Sequence, residues 1–204
     1  MGAFPFPDRI ASREELSRDL LYRKISREDW EKISDRAWDT GVKAAKDLLQ
    51  QNNGKSIEQI ALDEGLVVEH KDVDNVAGNV RYFSEYYSGP KKIILYDASI
   101  KKWSKANSLT VKEANELILS HEIYHHLECT KLGLTSKQYT VPTIQIGKFK
   151  IGKSGIRALS EIAAHGFSRT FYEECGLMPD SKGNKKDAIL QNHKEHDTDI
   201  QAEH

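Results

Sequence analysis

Apolar residues recur at helical spacing in three stretches of this chain. Thr110 with Glu113 has the form of a capping box, which predicts a helix from Val111 through about Leu127. Within it, Leu117, Ile118, Leu119, Ile123, Tyr124 and Leu127 cover nearly every direction, the pattern of a helix buried on all sides. Leu159, Ala163, Phe167 and Phe171 recur every four residues and mark a second helix. Trp30, Ile33, Ala37, Val42, Ala45 and Leu48 give residues 27–51 one apolar face, with Ser26 as the expected cap. Residues 8–22 read as a short charged helix behind Pro7.

Between these lie strand-like runs. Asn52-Asn53-Gly54 signals a turn, and Ser56 with Gln59 forms another capping box for a helix ended by Gly65. Strands are expected at 66–70, at 79–86 after Gly78, and at 91–96 after the Ser88-Gly89-Pro90 turn. Asp97 is placed to cap a helix reaching about Ala106. In 141–151, Ile144, Ile146, Phe149 and Ile151 flank Gly147-Lys148, which predicts a hairpin with a two-residue loop. A scaffold hairpin is the favoured reading, a border of the cleft the other. Beyond Asp180 the residues are almost all polar, and a frayed or disordered tail is expected, with no site credited to His193, His196 or His204.

The buried-helix pattern makes its polar members conspicuous. Residues 121–126 read His-Glu-Ile-Tyr-His-His, so the helix carries His121-Glu122-x-x-His125. Positions i and i+4 share a face, so both imidazoles can reach one metal ion. Glu122 lies about 100° round the helix and can take a proton from water at that metal. Zinc suits such a set, since three protein ligands leave one position open. The segment 155–171 offers Glu161 or His165, one turn apart, as the third ligand. Cys129, four residues after His125, is a further candidate on a continuing helix, although a small buried or half-buried thiol is the expected state.

The motif on its buried helix, followed by Glu161-Ile-Ala-Ala164-His165-Gly-Phe167-Ser168, resembles the ImmA/IrrE metallopeptidases. The run from Ser56 to His70 is similar to that family's small helix and strand, and Lys91–Asp97 to its next strand. The resemblance covers roughly residues 56–175. It implies His121, His125 and Glu161 as ligands of one zinc ion per chain and Glu122 as general base. It also implies an α+β, zincin-like (gluzincin-like) domain, with a small antiparallel or mixed sheet packed on the helices that carry the ligands. The substrate class it implies is a protein, cut at one peptide bond, such as a helix-turn-helix transcriptional repressor. The chain departs from the family in having Tyr124 where Gly is common, His165 where Asn is common, a late Leu177-Met178-Pro179 run, and a long interval from His125 to Glu161. On this reading residues 1–55 are an N-terminal helical arm, 56–179 the metallopeptidase domain and 180–204 the tail.

Composition narrows the partners. Thirty basic and 31 acidic side chains give a net charge of −1, which argues against a nucleic-acid or lipid surface as partner. No apolar run reaches the roughly 20 residues of a membrane span. Residues 1–9 lack the form of a signal peptide, and Phe6 stands where a myristoylation motif has Ser or Thr. A cytoplasmic protein with reduced Cys129 and Cys175 is expected. Hydrolysis also needs a donor for the developing oxyanion. His165, Tyr82 and Tyr124 lead a field that includes Tyr86, Tyr87, Tyr139 and Arg169, and the strand at 79–86 is the candidate for holding an extended peptide. The rival expectation is a metal-binding regulatory or protein-interaction module without turnover.

Overall fold

The structure, a computed structural model, describes residues 5–175. In chain order these form α1 (Glu15–Arg18), α2 (Trp30–Gln51), α3 (Ile57–Asp63), β1 (Val67–Lys71), β2 (Asn75–Ala77), β3 (Val80–Tyr82), β4 (Ser84–Tyr87), β5 (Lys92–Tyr96) and α4 (Asp97–Ala106). There follow α5 (Val111–Leu127), β6 (Thr140–Val141), β7 (Ile144–Ile146), β8 (Phe149–Ile151), β9 (Ser154–Gly155) and α6 (Ala158–Glu174). The architecture is α+β. A three-stranded mixed sheet has the order β1-β5-β4, with β1 parallel and β4 antiparallel to β5. The expected tail and the Leu177-Met178-Pro179 run lie outside the described residues.

Both capping boxes form. The Ser56 and Thr110 side chains accept from the backbone N–H of Gln59 and Glu113, whose side chains return to the cap residues. Gly65, at φ +74°, ends α3 in the left-handed region that glycine tolerates. One core joins the second half of α2 to α3, β5, α5 and α6 around Ile60, Ile93, Ile123, Tyr124 and Phe167. A second lies under the N-terminal segment, around Leu16, Ile33, Trp38 and Ile162. Thus α2 packs into the domain. It meets α6 backbone to backbone at two glycines: a Cβ on Gly41 would lie 1.9 Å from the Ala163 carbonyl oxygen, and one on Gly166 would lie 2.7 Å from that of Trp38.

Several local expectations are corrected. Residues 8–22 are not one helix but a 3₁₀ turn, the single turn α1 and a second 3₁₀ turn. Asp19 breaks the run: it is extended (φ −69°, ψ 136°), and its carboxylate accepts from Leu21 N–H at 2.8 Å and from Ala158 N–H at 3.0 Å. It thereby satisfies a free donor at the start of α6. Residues 79–86 form not one strand but two, divided at Phe83: β3 turns back on β2 across Gly78, at φ +60°, while β4 joins β5. Neither Ser26 nor Asp97 caps through its side chain; Asp97 pairs with His70 Nδ1 at 2.8 Å instead. After Leu127 the helix widens into a π-type turn at Glu128–Leu132. The extra residue per turn rotates Cys129 off the histidine face, and Cys129 is exposed. The 141–151 hairpin forms as expected, β7 pairing with β8, and Ile144, Ile146, Phe149 and Ile151 are exposed on it. Among the described residues, no helix is long and apolar enough to cross a membrane.

Candidate metal centre

The buried helix α5 and the adjacent α6 bring three ligand-type side chains together. His121 Nε2 and His125 Nε2 lie 3.2 Å apart. Glu161 Oε2 lies 3.3 Å from His121 Nε2, and Oε1 lies 3.6 Å from His125 Nε2. Zinc bonds of about 2.0–2.1 Å at tetrahedral angles separate neighbouring ligand atoms by about 3.3 Å. The spacing of the two imidazole nitrogens matches an edge of such a tetrahedron, and the Glu161 carboxylate approaches each nitrogen at a similar distance through a different oxygen. Of the two third-ligand candidates, Glu161 is the one in the cluster, and Cys129 is not in it.

Charge in the cluster points the same way. Burial works against an ionised Glu161, but its contacts with His121 and His125 prevail and hold its pKa well below the carboxylate range. Burial likewise opposes charge on His125, yet Glu128 and Glu161 outweigh it and raise the imidazole well above its ordinary pKa. Two carboxylates around one imidazole make a site that favours a cation, whether a proton or a metal ion.

Glu128 carries no sequence signal for this role. It is buried, and its Oε1 lies 3.1 Å from His125 Nδ1, while Oε2 accepts from Thr135 N–H at 3.0 Å and Ser160 Oγ–H at 2.9 Å. Burial would raise its pKa, but these three partners lower it. An ionised Glu128 requires His125 Nδ1 to carry hydrogen, which turns Nε2 to the metal side. Tyr124 supports this arrangement from behind. It is fully buried, and its phenol meets Thr135 Oγ1 rather than lining the cleft.

The cluster opens into a cleft of about 300 Å³ whose walls include Arg81–Ser84, Glu122, Glu161 and His165. Glu122 is nearly buried, and its Oε1 accepts from Ser84 Oγ at 2.6 Å. His165 faces the cleft, with Ser12 Oγ 3.4 Å from its Nδ1. Burial pushes its pKa down to about 3, so the ring is neutral. Tyr82 is also in the cleft wall, half exposed. The other donors considered are engaged elsewhere: Tyr86 with His126, Tyr87 with Glu85, Tyr139 with Asp29 and Arg169 with Glu173. The N-terminal segment contributes Phe6 and Glu15 to the cleft. Burial raises the Glu15 pKa, and Glu161 adds to the shift. Phe6, Ser12, Glu15, Ser84 and Glu128 thus join the site by tertiary contact, where periodicity gives no signal.

A scan against models of known protein families finds no match, and searches of curated proteins and of solved structures find none either.

Proposed function

We propose that this chain is a zinc-dependent endopeptidase of the HExxH type that cleaves a peptide bond in a protein substrate. The observation that carries the reading is the convergence of His121 Nε2, His125 Nε2 and the Glu161 carboxylate, one oxygen near each imidazole, beside a carboxylate already oriented in a cleft. Histidine and carboxylate donors of this kind suit zinc. Zinc, when bound, supplies Lewis acidity that activates water and polarises the scissile carbonyl.

The remaining work falls to side chains of this chain. The Ser84 hydroxyl fixes one oxygen of Glu122 and leaves the other to accept the water's proton and pass it to the leaving amine. Neutral His165, with Nδ1 turned to Ser12, has Nε2 for donation to the developing oxyanion. β4 lies at an edge of its sheet and begins at Ser84, so an extended substrate can add to that edge next to Glu122. The resemblance to ImmA/IrrE metallopeptidases supports the same chemistry and suggests a helix-turn-helix repressor as substrate, by analogy.

The test is a zinc-loaded full chain with a quenched-fluorescent peptide mixture. The chain should bind about one zinc and cleave. Glu122→Gln should keep the metal and lose at least about 100-fold in rate, the scale of a missing general base. Cleavage undiminished in Glu122→Gln, or none by the zinc-loaded wild type, refutes the reading.

A further inference from the structure

Residues 5–8, Pro-Phe-Pro-Asp, bring the Phe6 ring to the cleft beside the metal ligands. Its centroid is 5.7 Å from that of His121, in a stacked arrangement, and 5.6 Å from His165. Trp103 lies 5.8 Å from it and 5.6 Å from Phe83. These separations and tilts are those at which aromatic rings attract one another. His121, His165 and Trp103 therefore form an aromatic box, and a side chain of the same molecule sits in it.

The attachment of that side chain is slight. Pro5 and Pro7 lack N–H groups, so at those positions the segment has no donor with which to pair as a strand. The anchor comes afterwards. Asp8 Oδ1 accepts from the N–H groups of Ile10 and Ala11 at 2.9 and 2.8 Å. Arg9 pairs with Asp39, and Arg13 pairs with Asp35 at 3.0 Å and Glu31 at 2.9 Å. The Arg9–Asp39 pair is open to solvent and holds weakly, whereas the Arg13–Asp35 pair is partly buried and contacts both carboxylate oxygens. The shape-selective contact is at Phe6; the segment is held farther along by the buried Ser12 and Leu16, while the exposed Arg9–Asp39 pair is sensitive to salt.

We propose that the box is a subsite for an aromatic side chain of the substrate, and that Phe6 is its intramolecular occupant, displaced when such a side chain arrives. Calling the displacing ligand a substrate rests on the peptidase reading; the box and its occupant do not. A short tether keeps Phe6 at an effective concentration in the millimolar range. A lone aromatic compound competes poorly against that. An aromatic residue in a peptide that also engages the β4 edge competes well, so the strap acts as a filter against chains that offer only a backbone.

The experiment uses the full chain, with N-acetyl-phenylalaninamide as probe and N-acetyl-alaninamide as control. Titrations with no metal added are followed by NMR on the His121 and His165 ring resonances. Phe6→Ala should bind the phenylalanine probe at least tenfold more tightly than wild type and show no such gain for the alanine control. Phe6→Trp, which keeps a ring in the box, should behave as wild type. Equal binding by wild type and Phe6→Ala, or no binding by a folded Phe6→Ala, overturns the proposal. The same proteins loaded with zinc are then titrated with phenylalanine hydroxamate. If the amide binds Phe6→Ala but zinc adds nothing to hydroxamate affinity, the metal reading falls and the box stands. If the hydroxamate gains from zinc but Phe6→Ala does not discriminate between the amides, the box alone falls.

Discussion

Replacing Glu128 with Gln isolates the contribution of a residue that touches neither cleft nor substrate. The carboxylate serves three donors with two oxygens: His125 Nδ1 on one side, and Thr135 N–H with Ser160 Oγ–H on the other. An amide of the same shape has one oxygen and one NH₂, so one side must face donor to donor. A buried hydrogen bond to a charged group is worth about 1.5–3 kcal/mol, so we expect a stability loss of about 2 kcal/mol in chemical denaturation. The effect on the metal is separate. Partners that orient a liganding histidine typically contribute 10–100-fold in affinity, or about 1.4–2.7 kcal/mol. An opposing effect accompanies it, because Glu128 is one of the groups that raise the His125 pKa, and its loss weakens proton competition. The affinity deficit should therefore be larger at pH 8.5 than at pH 6.5, as measured by competition with a chromophoric chelator. A folded Glu128→Gln that binds zinc as tightly as wild type at pH 8.5 refutes the argument that this carboxylate orients His125.

The proton on His125 makes a second prediction. With its pKa raised well above the ordinary value by Glu128 and Glu161 against the effect of burial, zinc must displace that proton at neutral pH. Affinity then falls as pH falls, and calorimetry at pH 7 in buffers of different ionisation heat should report about one proton released per zinc; none released refutes it. For His165 the sign runs through folding. Its folded pKa, about 3, lies below the ordinary 6.5, so its contribution is whole above pH 6.5 and is lost as pH drops from there towards 3. By pH 4.5 the loss is at most about 3 kcal/mol. Urea melts should show this loss in wild type and not in His165→Asn. At Gly41, a Cβ 1.9 Å from the Ala163 carbonyl oxygen forces α2 off α6. Gly41→Ala should cost about 3 kcal/mol or more and weaken zinc binding, because α6 carries Glu161. A melt within 1 °C of wild type would contradict that, since about 3 kcal/mol moves a domain of this size by at least ~6 °C.

What was legible in the chain was local. The Thr110–Glu113 and Ser56–Gln59 boxes each span one helical turn, so the helix starts followed directly from residue spacing. The His121–His125 pair is likewise one turn of one helix, and Glu161 stood out because the spacing of α6 put it off the apolar stripe. Elsewhere the path changed at single residues: at Phe83 the run expected as one strand passes from pairing with β2 to pairing with β5, and the helix widens at Glu128, one residue before the exposed Cys129. Asp19 ended a helix in order to cap another that starts more than a hundred residues later. Such choices are made by tertiary contacts, which the local pattern does not encode.

The same distinction bears on how the site works. The atoms that could hold a metal ion come from α5 and α6, and α2 packs backbone to backbone on α6 at Gly41 and Gly166. Other groups in or beside the cleft come from elsewhere: Ser84 at the start of an edge strand, and Phe6, Ser12 and Glu15 from the N-terminal segment. A ligand cluster needs spacings good to a few tenths of an ångström, which packed helices provide. Substrate choice needs surfaces that differ and yield, which short irregular segments provide. The N-terminal segment is therefore a wall of the cleft in its own right: Phe6→Ala should leave His121, His125 and Glu161 on their helices while changing what reaches them.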